Sequence, residues 1–107
     1  MQPANILVAD DDAVARDLLA EFLKKDGYTV EAFASGEEVI ARGRLGQVDL
    51  VLTDIRMGAV DGLTVLREFK RMSPDTAVVV LTSFGSLEGA IEAIKQGAYD
   101  YLAKPFK

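Results

Sequence analysis

The sequence predicts an α/β fold in which parallel strands are joined by crossover helices, with helices covering both faces of the sheet. Three observations carry that prediction. Short runs rich in Val, Leu, Ile and aromatic residues alternate regularly with longer segments of helical period. The runs near Leu50 and Ala77 are apolar on successive residues, as central strands covered on both faces require. The 107 residues suit a single small core and leave no room for a second domain.

The first strand is read at Ile6 to Ala9. After it, Val14, Leu18 and Phe22 recur at i, i+4, i+8 beside Leu19 and Leu23, which predicts an amphipathic helix over Ala13 to Lys25. Asp12 can cap its start and Gly27 its end. Tyr28 to Phe33 is the second strand. Ser35 to Leu45 is the least regular helical segment, because its apolar face is thin and Gly43 interrupts it. Asp49 belongs to a turn before the third strand, Leu50 to Thr53. Asp61 and Gly62 open a helix marked by Leu63, Leu66 and Phe69 and stopped by Ser73 and Pro74. The fourth strand is Ala77 to Thr82; Ser86 then caps a helix marked by Leu87, Ile91, Ile94 and Ala98, with Gly97 near its end. Tyr99 to Ala103 is the fifth strand. The chain stops at Lys107 without a helix to cover that strand, so the expectation is a single domain, 1–107, cut short at its C-terminal end.

Composition removes whole classes of chemistry. There is no cysteine and no histidine, which excludes disulfides, thiolate nucleophiles, His/Cys zinc sites and Ser/His or Cys/His catalytic pairs. What remains is carboxylates, lysines, hydroxyls, backbone groups or a hard metal. The net charge is -5 and no Lys/Arg run is present, which argues against direct nucleic-acid binding. The longest clean apolar run, Ala77 to Leu81, is far too short for a membrane span, and no signal segment is visible. A reducing, cytoplasmic location is expected.

In open parallel sheets, functional groups gather where the chain leaves the carboxyl ends of strands. Asp10 and Asp11 follow the first strand, Asp54 the third, Thr82 and Ser83 the fourth, and Lys104 the fifth. Three carboxylates brought together repel, so either one takes up a proton or a cation sits among them; a cation is the preferred reading, and all-oxygen donors favour Mg²⁺, with Mn²⁺ as the alternative. Lys104 adds a mobile positive charge and Thr82 a hydroxyl donor, a set suited to an anion with several oxygens. Phosphoryl transfer needs little more than an in-line nucleophile and charge stabilisation, and Asp54 can be that nucleophile.

The segments ILVADDD (Ile6 to Asp12), DLVLTDIRM (Asp49 to Met57), VVVLTSFG (Val78 to Gly85) and YDYLAKPF (Tyr99 to Phe106) resemble the receiver domains of bacterial two-component response regulators in order and spacing, over the whole chain. The resemblance implies a flavodoxin-like doubly wound sheet of strand order 2-1-3-4-5. It implies that Asp54 is the phosphoacceptor and that Asp10, Asp11, Asp54 and the backbone carbonyl of Arg56 bind Mg²⁺. Thr82, Ser83 and Lys104 are then implied to hold the phosphoryl group, Thr82 and Tyr101 to form a switch, and Lys104-Pro105 to be a cis peptide. The implied donor is a sensor histidine kinase or phosphotransfer protein. An effector domain in a longer chain and a homodimer formed on phosphorylation are further expectations. The stretch LTSFGSLEGAIEAIKQGAYDYLAKPF looks most like receivers of the nitrogen-regulator class, which control sigma-54-dependent transcription. Gly58, Ala59 and Val60 replace the family's usual Pro-Gly after the acceptor, so a more mobile loop is expected there.

Two other functions compete. Asp10-Asp11-Asp12-Ala13-Val14 also fits the nucleophile pattern of haloacid-dehalogenase-like phosphatases, with Asp10 as nucleophile and Asp12 as acid/base, but Asp54 is then unexplained. A phosphorylation-independent interaction module would keep the same fold and use none of this chemistry. A dinucleotide-binding fold is disfavoured, because the first strand ends in acids rather than a glycine-rich turn.

Overall fold

The computed structural model describes residues 3–82 and 87–104. Five parallel strands, β1 (Asn5–Ala9), β2 (Thr29–Phe33), β3 (Leu50–Asp54), β4 (Ala77–Thr82) and β5 (Asp100–Ala103), form one sheet in the order β2-β1-β3-β4-β5. Helices α1 (Ala13–Lys25), α2 (Gly36–Gly43), α3 (Gly62–Met72) and α4 (Leu87–Lys95) make the crossovers. The predicted architecture and order are both present.

Alternation along the strands sorts the core into two layers. Leu7 and Ala9 of β1, Val51 of β3 and Val78 and Val80 of β4 pack with Val39, Ile40, Val65, Leu66, Phe69 and Ala93 of α2, α3 and α4. Ile6, Val8, Val30, Leu52, Val79 and Leu81 point the other way, towards Ala20 and the partly buried Leu19 and Leu23 of α1. The central strands are therefore apolar on successive residues because each face is covered.

Local chemistry explains the helix ends. Asp12 caps α1, its carboxylate accepting the N–H of Val14 at 3.0 Å and of Ala15 at 3.4 Å. Gly27 closes it at φ +95, a left-handed conformation that favours glycine. Ser35 caps α2, its hydroxyl accepting the Glu38 N–H at 3.3 Å and donating to Glu38 Oε1 at 3.0 Å. Asp61 caps α3 through the N–H of Thr64 at 2.9 Å. Asp49 ties the sheet's other edge, accepting the Asn5 N–H at 2.7 Å.

Two expectations need correction. Gly43 does not weaken α2 but lets α3 approach it: a Cβ there would lie 2.8 Å from Cε1 of the fully buried Phe69 ring. The thin apolar face of α2 is thus completed by a residue from another helix. The α1 stripe is not one buried face. Leu19 and Leu23 meet the sheet, whereas Val14, Leu18 and Phe22 are 76%, 64% and 65% exposed. Leu18 and Phe22 instead line an open groove of about 810 Å³ that runs from α1 to Tyr99 and Leu102 beside β5. On this side, α1 is the single covering helix among the described residues.

The loop after β3 is anchored at both ends. Met57 is buried, and Val60 packs on the core against Gly36.

Candidate functional site

The carboxyl ends of β1, β3, β4 and β5 bring the predicted residues to one edge of the sheet. Asp10 and Asp11 leave β1, Asp54 is the last residue of β3, Thr82 the last of β4, and Lys104 follows β5. One carboxylate oxygen from each of Asp10, Asp11 and Asp54 lies within 4.8 Å of the other two. Asp11 is exposed, Asp54 half-buried, and Asp10 only 1% exposed.

Lys104 sits among these acids. Its ammonium donates to Asp10 Oδ2 at 2.5 Å and to Asp54 Oδ2 at 2.9 Å. Partial burial works to lower the Lys104 pKa, but its hydrogen bonds to Asp10 and Asp54, with their charges, outweigh it and hold the ammonium above its ordinary value. Its backbone is fixed as well, the Lys104 N–H donating to the Thr82 carbonyl at 2.7 Å. Thr82 is buried opposite Ala103, and Tyr101 pairs with Val80 with its side chain 39% exposed.

Asp54 is held by its own neighbours. Its Oδ1 accepts the Arg56 N–H at 3.3 Å, and the Thr53 hydroxyl donates to its backbone carbonyl at 3.0 Å. The Gly62 N–H reaches back to the Ile55 carbonyl at 2.7 Å, which closes the loop under the acid. Ser83, Ser86 and Pro105 lie outside the described residues, and with them the expected cap of α4, one expected phosphoryl-binding position and the expected cis peptide.

Sequence reasoning missed Thr53 and Arg16. Thr53 is fully buried one residue before Asp54, and Arg16 donates from α1 to the Asp10 carbonyl at 3.1 Å. The only signal for Arg16 was position, since a long donor in the first turns of α1 can reach back to the end of β1.

The donor set is three carboxylates with no nitrogen or sulfur ligand, a hard site suited to Mg²⁺. The adjacent ammonium supplies a second positive centre for a polyoxyanion. The sequence matches the response regulator receiver domain family over residues 6–107. This chain belongs to that family. It is 43% identical to the transcriptional regulatory protein ZraR of Salmonella typhimurium over 94% of this chain and 23% of that protein. It is 40% identical to the DNA-binding transcriptional regulator NtrC of the same organism over 99% of this chain and 23% of that protein. The expected likeness to the nitrogen-regulator class agrees with these relatives. A solved response regulator from Burkholderia pseudomallei, with a phosphorylated aspartic acid, calcium ion and citrate, superposes with a TM-score of 0.88. It is 32% identical, covering 97% of this chain and 61% of that one. The chain spans less than a quarter of the length of the curated regulators it matches.

Receiver domains are signalling domains rather than classical enzymes, and they typically bind Mg²⁺ at an acidic pocket such as this one. The phosphatase alternative gains no support, and Asp12, its acid/base, is occupied as the α1 cap. No helix among the described residues is long and apolar enough to cross a membrane.

Proposed function

We propose that this receiver domain accepts a phosphoryl group on Asp54 from a phosphohistidine of a sensor kinase or phosphotransfer protein. The observation that carries the reading is the Asp54 carboxylate within 2.9 Å of the Lys104 ammonium and clustered with two further acids. An Asp54 oxygen attacks phosphorus in line with the departing histidine nitrogen, so one O–P bond forms as one N–P bond breaks. The histidine comes from the donor, because this chain has none.

Asp10, Asp11, Asp54 and the Arg56 carbonyl are the residues that would hold Mg²⁺. The ion supplies charge neutralisation of the phosphoryl oxygens when bound. Lys104 moves its hydrogen bond from Asp54 to a phosphoryl oxygen while its backbone stays tied to Thr82. The new group brings roughly one and a half to two negative charges and fresh acceptor oxygens, which recruit the Thr82 hydroxyl and, if in reach, that of Ser83. Tyr101, half out of the surface, turns inward into the space Thr82 leaves. The changed surface of α4 and β5 is read by an effector domain or by a second phosphorylated copy. In the longer regulators this chain resembles, that output is transcription, and a cytoplasmic setting fits such a role.

The test is incubation with acetyl phosphate and Mg²⁺ followed by intact mass. One phosphoryl adduct on the wild type and none on Asp54→Asn is expected. An undiminished adduct on Asp54→Asn would remove the assignment.

A further inference from the structure

The strand ladder around β1 ends one residue before the acid pair. Ala9 is the last β1 residue paired on both sides, with Phe33 on β2 and Thr53 on β3. Asp10 still donates its N–H to the Phe33 carbonyl at 3.1 Å, but its own carbonyl lies past the ladder in a residue only 1% exposed. A buried carbonyl needs a donor. The start of α1 does not supply one from its backbone. The N–H groups of Val14 and Ala15 go to the Asp12 carboxylate, and that of Arg16 goes to the Asp12 carbonyl.

The donor is the Arg16 side chain, whose Nη1 lies 3.1 Å from the Asp10 carbonyl. That guanidinium is itself constrained, 20% exposed and with Nε 3.8 Å from the Asp17 carboxylate. The opposite end of Asp10 is held too: Oδ1 accepts the Asp12 N–H at 3.0 Å and Oδ2 the Lys104 ammonium. Asp10 is thus gripped at its carbonyl from α1 and at its carboxylate from β5.

We propose that Arg16 is a positioning residue for cation binding: its hydrogen bond to the Asp10 carbonyl fixes the turn through Asp12 and so the aim of the Asp10 and Asp11 carboxylates. The proposal rests on the reading of this acidic site as Mg²⁺-dependent. Two effects of Arg16 oppose each other. As a positive charge it repels a nearby cation, so its removal tightens binding; as a strut it orders the ligands, so its removal weakens binding. The guanidinium bonds the Asp10 backbone carbonyl rather than a carboxylate, and its own charge is partly met by Asp17, so the strut wins. Loss of such supporting contacts typically costs about 10–100-fold in metal affinity.

The experiment is calorimetric titration of the whole chain with MgCl₂, alongside amide shifts of Asp11 to Ala13 in nitrogen-15 spectra. Arg16→Ala is expected to raise the Kd for Mg²⁺ about 10-fold. Its acetyl phosphate reaction should slow at low Mg²⁺ and recover at saturating Mg²⁺, a split that general loss of structure would not give. Arg16→Lys, which keeps a cationic donor, should recover part of the affinity. Should Arg16→Ala not fold, Arg16→Gln, shorter and neutral, decides in its place, and weaker binding is again expected. Equal or tighter Mg²⁺ binding in the neutral variants, with the wild type binding normally, overturns the proposal and leaves the phosphoacceptor reading standing. No saturable Mg²⁺ binding by the wild type overturns both.

Discussion

The Lys104 ammonium lies 2.9 Å from Oδ2 of Asp54, joining residues 50 positions apart at the ends of β5 and β3, two strands separated by β4. In this arrangement Lys104 offsets charge that a cation and a phosphoryl group would otherwise share. Lys104→Met removes that internal competitor. Mg²⁺ should bind at least as tightly as in the wild type, while phosphorylation by acetyl phosphate slows by about 10²–10³-fold, as when a positioned charge stabiliser is lost. Calorimetry and timed intact mass measure the two effects separately, and loss of Mg²⁺ affinity together with rate would contradict this division of labour.

The same contact sets a pH dependence at the alkaline end. Lys104 titrates above its ordinary 10.5 in the folded chain, so its contribution to stability is fully present below about 10.5 and lost as pH rises through the higher folded value. Urea midpoints of wild type and Lys104→Met should therefore keep a constant separation from neutral pH to about pH 10 and converge above it. Convergence that began near neutral pH would show that Lys104 is not the group responsible.

Behind Asp54, backbone rather than side chain sets the tolerance. A Cβ on Gly62 would fall 2.8 Å from the Ile55 Cα and 2.9 Å from the Asp54 carbonyl carbon, neither of which can turn away. Gly62→Ala is expected to cost about 1–3 kcal/mol in urea unfolding, as overpacking does, and to slow phosphorylation by displacing Asp54. A variant with wild-type stability and rate would mean that the β3–α3 loop yields freely.

Much of this was legible in the sequence, for reasons that differ by residue. The strand order came with the family resemblance, whereas both apolar faces of β3 and β4 and the Asp12 and Asp61 caps follow from local rules of period and capping. Asp10, Asp11, Asp54, Thr82 and Lys104 were findable because a parallel sheet delivers strand ends to one edge. Gly43 was misread because its value lies in Phe69, a partner 26 residues away that no local pattern reveals. The α1 stripe was misread because helical period shows where apolar residues lie but not what covers them. Thr53 and Arg16 escaped because both act on backbone carbonyls, and sequence says little about which carbonyls the sheet leaves without a donor.

The split between core and stripe is measurable. Phe69→Ala empties a fully buried ring site between α2 and α3 and should cost about 3–5 kcal/mol. Leu18→Ser lies at a position that is 64% exposed and should change stability by no more than about 0.5 kcal/mol. Chemical denaturation of each variant gives the comparison, and a large loss from Leu18→Ser would show that the groove beside β5 is packed in solution.

Asp12→Ala separates the receiver mechanism from the phosphatase reading that the same acidic run allows. Asp12 spends its carboxylate on the first turn of α1, accepting from Val14 and Ala15, and its N–H on Asp10 Oδ1. The substitution keeps the N–H and loses the cap, so it should cost about 1 kcal/mol of stability. Mg²⁺ binding and the formation of the Asp54 adduct should change by less than about threefold, because no oxygen of Asp12 belongs to the carboxylate cluster and the backbone contact that orients Asp10 survives. A phosphatase that used Asp12 as acid/base would instead lose about 10²–10⁴-fold of its rate on the same change. The stability loss is common to both mechanisms, so timed intact mass on the same preparation separates them: normal phosphorylation of Asp54 for the receiver against collapsed chemistry for the phosphatase.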